Sequence, residues 1–123
     1  MPALMLRAHH EIIFAYSTNH TEVIVRVENE GKAYLWAEAD IQVPESISLA
    51  PMTELRKGRV RIGIIGKNEF LEKATRIYAM PTTAPQVYRC GVVLYLYNKD
   101  GVIEKRMEKE IDIRCEFRKK ETI

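Results

Sequence analysis

Cysteine is scarce in this chain: Cys90 and Cys115 are the two it has in 123 residues. A small secreted domain held by a disulfide framework needs more. No apolar run approaches the ~18 residues of a helical membrane span, and Met1–Leu6 is too short for the apolar region of a signal peptide. The expected setting is therefore cytoplasmic, with no membrane partner. An excess of one charge is also missing. Lys and Arg number 19 against 17 Asp and Glu, a net of +2, whereas nucleic-acid-binding domains carry a strong basic excess. Nucleic acid is not expected as the main partner. Amides are few, with Gln at positions 42 and 86 only, and the many charges beside them suit a protein from a hot environment.

Motifs are missing as well. No catalytic, metal or phosphate-binding pattern stands out, so no catalytic residue, cofactor or metal is expected. What is present is a hydrophobic fraction of 46% with 29% charged residues, which fits one folded domain over residues 1–123. The ends, 1–9 and 118–123, are expected to be flexible, with Arg118-Lys119-Lys120 a solubilising tail.

The dominant signal is alternation with a period of two. Glu11–Tyr16 and Glu22–Glu28 are short strands, the second with Val23, Val25 and Val27 on one face. Asn29-Glu30-Gly31 is a turn, since Asn and Gly tolerate positive φ. Ala33–Val43 follows, with Leu35, Ala37, Ala39, Ile41 and Val43 on one face and Tyr34, Trp36, Glu38, Asp40 and Gln42 on the other. Pro44 ends that ladder because it has no N–H to donate. Further extended pieces cover Ser46–Leu49, Arg59–Ile65 and Glu69–Met80. Met52–Lys57 is irregular or one helical turn, and Phe70–Lys73 reads as strand or helix.

The last third reads as one long β-hairpin, Val87–Tyr97 and Val102–Phe117 around Asn98-Lys99-Asp100-Gly101. Even positions of the first arm (Tyr88, Cys90, Val92, Leu94, Leu96) and odd positions of the second (Ile103, Met107, Ile111, Ile113, Cys115, Phe117) are apolar and expected to face inward. Opposed residues share a face, and a short turn brings these two sets together. In that register Cys90 lies opposite a residue near position 110. Cys115 is then about four to six residues away, more than ~10 Å along the strand and beyond the ~7 Å Cα limit for a disulfide. Two free, buried thiols are expected, as in a reducing compartment. The whole pattern predicts an all-β, antiparallel sandwich of about seven or eight strands with a long C-terminal hairpin.

Candidate sites are few. His9-His10-Glu11 has metal-ligand residue types, but neighbours in a strand point to opposite faces and rarely share an ion. Cys90 and Cys115 lie on apolar strand faces, where thiols serve as small core residues. Asn19-His20-Thr21 matches the glycosylation sequon, which matters only in a secreted protein. Arg56, Lys57, Arg59 and Arg61 form the main basic cluster, whose alternative role is weak binding of nucleic acid or another anionic ligand, unless its cations pair with nearby Glu. Val93, Tyr95 and Tyr97 face outward on the hairpin's first arm, and Tyr is enriched at interfaces. They are the candidate protein-interaction surface, for a partner or for self-association as a homodimer. Lys105 and Lys109 interrupt the inward row of the second arm. Either they guard an edge strand or the hairpin tip projects beyond the core.

Several pieces resemble immunoglobulin-like sandwiches of the cell-adhesion-related and fibronectin-like kind, and small archaeal proteins. Val23–Gly31 resembles the second strand and its turn, and Val43-Pro44-Glu45-Ser46-Ile47 the next strand's exit. Ala84–Tyr88 is similar to the approach to a tyrosine corner, and Tyr88-Arg89-Cys90 has that corner's Tyr-x-Cys spacing. The earlier partner cysteine of antibody-type domains is missing. The resemblance implies a core position for Trp36, against the alternation above, and an interaction or scaffolding role.

Overall fold

The computed structural model describes residues 2–118; the readings placed on 119–123, including most of the basic tail, lie outside the described residues. Nine strands run in chain order: β1 (Pro2–His9), β2 (Ile12–Phe14), β3 (Asn19–Asn29), β4 (Leu35–Gln42), β5 (Ile47–Ser48), β6 (Lys57–Ile65), β7 (Glu69–Ala79), β8 (Gln86–Tyr97) and β9 (Ile103–Glu116). Among the described residues there is no helix, so Met52–Lys57 and Phe70–Lys73 lose their helical alternatives. One sheet has the order β1-β3-β7-β5 and the other β2-β9-β8-β4-β6. All pairs are antiparallel except β2 with β9.

The alternation explains the core. Leu4, Val25 and Val27 of one sheet pack with Ala37, Ala39, Ile41, Val92, Leu94 and Leu96 of the other, each at most 1% exposed, while Val23 belongs to the second layer. Ile13, Ile47, Ile77, Tyr88, Cys90, Ile113 and Cys115 form a second layer. The strand count exceeds the expected seven or eight because Pro2–His9 adds a strand that was not expected, while the two short expected pieces pair at the sheet margins. β2 joins the end of β9, and β5 joins the end of β7.

The N-terminal segment corrects an expectation. Residues 2–9 form a strand paired along its whole length with β3, and Leu4 is 1% exposed. Its alternation (Leu4, Leu6 and Ala8 against Met5, Arg7 and His9) was hidden in a short apolar run at the chain's start. The Asn29 turn also works differently from the expected route. Among the described residues positive φ falls at Tyr16, Ser46, Asn68, Gly63 and Gly101 instead, while Asn29 is buried and its amide donates to the carbonyls of Ala33 (2.8 Å), Ile65 (3.1 Å) and Gly66 (3.2 Å).

The hairpin has the predicted register over most of its length: Cys90 opposes Ile111, and Gln86 opposes Cys115. Both thiols are free and buried. At the tip, Gly101 N–H donates to the Asn98 carbonyl (3.0 Å), and Gly101 takes φ 76°. This is a tight turn closed by a left-handed glycine, and a separate shift between Leu96 and Tyr97 passes over Glu104, setting Tyr97 opposite Ile103. Asn98 Oδ1 accepts from the N–H groups of Asp100 and Val102 and holds the turn.

Candidate functional site

The ladders of the five-stranded sheet align its outward side chains in rows across β6, β4, β8 and β9. The end row is Ile64, Trp36, Tyr97 and Ile103. The next is Arg61, Glu38, Tyr95 and Arg106, then Arg59, Asp40, Val93 and Glu108, then Lys57, Gln42, Gly91 and Glu110. Because opposed residues share a face, each row is a line of neighbouring side chains. With strands ~4.8 Å apart, four strands make a row about 14 Å long.

The end row is apolar and open. Ile64 is 58% exposed, Ile103 51% and Trp36 39%. Trp36 is thus a surface residue, in keeping with the alternation and against the core position implied by resemblance. Its neighbour toward the core is Ala37, which is fully buried, and a strand cannot turn two successive side chains inward. Trp36, Tyr97, Glu38 and Lys99 line a shallow depression of about 430 Å³ at this end.

The remaining rows are a lattice of ion pairs. Arg59 grips Asp40 with two hydrogen bonds, Nε to Oδ1 at 2.7 Å and Nη2 to Oδ2 at 3.2 Å. That bond holds the Asp40 carboxyl below its usual range. Arg59 also reaches Glu38 at 3.5 Å and lies over the Tyr95 ring at 5.6 Å. Arg61 lies 3.8 Å from Glu38, and Arg89 pairs with Asp112 at 3.1 Å and Glu110 at 3.5 Å. Arg106 bonds Glu108 and Tyr95.

This lattice divides the residues singled out from sequence. Val93, Tyr95 and Tyr97 share one face but are half-buried by flanking side chains, not freely exposed. Tyr97 belongs to the apolar row, whereas Tyr95 and Val93 sit among charges. Arg59 and Arg61 share the outward face of β6 with Lys57. Arg56 lies before the strand and pairs with Glu45 at 3.5 Å and Glu54 at 3.9 Å. The four cations do not converge on one point. Ile64 was not recognised from sequence as a member of the surface. Ile103, expected on the inward row, is 51% exposed because the register shift between Leu96 and Tyr97 turns it to the outward side. Phe117, expected inward as well, lies beyond β9 and is 68% exposed.

The other candidates resolve locally. The His9 and His10 rings stack 4.8 Å apart instead of pointing to opposite faces, because β1 ends at His9. Among the described residues, no group of three or more His, Cys, Asp and Glu side chains is placed to hold a metal. Asn19 is tied to Phe14 by two hydrogen bonds of 2.9 Å. Burial, with a smaller effect of Asp112, pushes the Cys90 thiol up to about 12, so it carries no thiolate near neutral pH. Lys105 and Lys109 point to the inward side of β9, whose far edge pairs with β2 only over Arg114–Glu116.

The fold thus defines an all-β sandwich of immunoglobulin-like order. β1-β3-β7-β5 and β9-β8-β4-β6 follow the arrangement of those domains, and the Tyr88 hydroxyl donates to the Ala84 carbonyl as in a tyrosine corner. β5 precedes β6 in the chain, a departure from that order. No protein-family model matches the chain, and no curated protein does. Among solved structures it is similar to a FixG-related protein from Vibrio parahaemolyticus, with 11% identity, a TM-score of 0.56 and coverage of 93% of this chain and 95% of that one. It also matches AggA, the major subunit of aggregative adherence fimbriae type I from Escherichia coli, at 12% identity and a TM-score of 0.41, covering 94% of each chain. The first likeness establishes a shared fold and nothing about activity; the second carries no further weight.

Proposed function

We propose that this domain is a non-catalytic protein-interaction or scaffold module whose contact surface is the apolar end row of the five-stranded sheet. The observation that carries the reading is the alignment of Ile64, Trp36, Tyr97 and Ile103 in one exposed line. Burying such a line within the charged rows beside it would give an aromatic-rich centre and a polar rim, the usual build of an interface. The engagement of the surrounding carboxylates and guanidinium groups with one another favours binding over chemistry. The partner is another protein or a second copy of this chain. Two free, buried thiols favour a reducing, cytoplasmic setting.

Sedimentation of the parent beside a Trp36→Ser/Tyr97→Glu variant tests self-association through the row. A parent dimer that becomes monomeric in the variant supports it. Monomers in both remove the homodimer, and a parent dimer unchanged in the variant moves the contact to another surface.

A further inference from the structure

β6 closes one side of its sheet: it pairs with β4, and among the described residues no strand pairs with its other edge. Such an edge presents unpaired N–H and C=O groups, the template used in strand addition. The edges of this molecule are guarded unequally. β9 carries Lys105 and Lys109 on its inward side, and β7 carries Lys73 opposite the inward Val25. An inward charge opposes pairing. β6 instead has Gly58, Val60 and Ile62 at its inward, partly buried positions, none of them charged. β1, another edge without an inward charge (Leu4, Leu6, Ala8), lacks the row of cations that β6 carries on its outward face.

Its outward side chains select the occupant. Lys57, Arg59 and Arg61 lie along one face, so two β6 edges meeting each other would set cation against cation. The complement must bring carboxylates, and β4 shows its pattern. In register with β6, Glu38 and Asp40 oppose Arg61 and Arg59, and Trp36 opposes Ile64. The Arg61 side chain is 80% exposed, and a guanidinium has five N–H donors, so a second carboxylate can approach from the free side.

We propose that the free edge of β6 accepts an extended segment of a partner protein carrying Asp or Glu at alternate positions, which adds a sixth strand to the sheet. This edge shares Ile64 with the apolar row but is recognised through Lys57–Arg61. Substituting Trp36 and Tyr97 leaves Lys57–Arg61 in place, so the two readings fail independently.

The test is amide hydrogen exchange on the full chain with a synthetic peptide of the β4 sequence, Leu35–Gln42, beside a version with Lys at both acidic positions. The acidic peptide is expected to slow exchange across Lys57–Arg61 about tenfold, with the effect fading as salt rises. Lys57→Gln/Arg61→Gln should weaken that peptide's binding about tenfold. No slowing in β6, or equal slowing by both peptides, overturns the proposal. So does slowing by a single-stranded oligonucleotide when the acidic peptide has none. If the double variant does not fold, the two peptides on the parent chain decide alone.

Discussion

The Tyr88 hydroxyl donates to the Ala84 carbonyl at 2.7 Å, closing a loop of four residues at the entrance to β8. The ring itself is 1% exposed and packs in the second core layer. One side chain therefore fills the core and fixes how the chain enters the long hairpin.

Removing the hydroxyl alone separates these roles. Tyr88→Phe keeps the ring but leaves the Ala84 carbonyl without that donor, at a cost of about 1–1.5 kcal/mol. Tyr88→Ala also opens a cavity and should cost about 3–5 kcal/mol. Urea unfolding of both variants checks the split. Equal losses would mean that the hydrogen bond contributes nothing measurable.

Arg59 and Asp40 give a pH signature with a definite sign. The hydrogen bond from Arg59 depresses the Asp40 pKa in the folded state. A depressed carboxylate contributes stability above its unfolded pKa of about 3.9, and that contribution is lost as pH falls through the lower folded value. Both side chains are substantially exposed, 51% and 41%, so solvent screens the pair and its contribution is small. Asp40→Asn should therefore be slightly less stable than the parent at pH 7, and the gap should narrow as pH falls toward 2. Denaturant midpoints at the two pH values measure this; a gap that widens in acid would contradict the assignment.

Cys90 predicts the opposite limb. Its folded pKa, about 12, lies above an ordinary thiol's, so its stability contribution is complete below the unfolded value of about 8.5 and is lost as pH rises. The parent should lose stability relative to Cys90→Ala by about 1.4 kcal/mol per pH unit above that point. A thiol reagent at pH 8 should label Cys90 only on unfolding. Prompt labelling of Cys90 in the native protein would show that the second core layer opens easily.

How much of this was legible in the sequence follows from the range of each signal. Alternation is local, and it placed Val23–Val27, Ala37–Ile41 and Tyr88–Leu96 inward, with the hairpin register and the separation of the two cysteines. The tyrosine corner was legible from Tyr88-Arg89-Cys90. β1 was missed because its alternation is short and its partner, β3, lies about twenty residues away in the chain. The apolar row was half legible. Alternation turned Trp36 and Tyr97 outward, but Ile64 and Ile103 join them only through three pairings between strands, two of them with shifted register. The basic cluster was read as one group, although which carboxylates face Arg59 and Arg61 depends on β4 lying beside β6.

Lys109 carries the last prediction. It lies opposite Val92 on the inward side of β9, between Met107 and Ile111, and most of the outer edge of that strand is unpaired among the described residues. A charge there must stay in contact with water, so any strand arriving at the edge would have to bury it. Lys109→Ile would complete an apolar line from Met107 to Ile113 and remove that penalty. The variant should associate at concentrations where the parent does not, which sedimentation over a concentration series measures. Lys109→Arg should behave as the parent. If Lys109→Ile sediments like the parent at every concentration, the lysine is not what protects this edge.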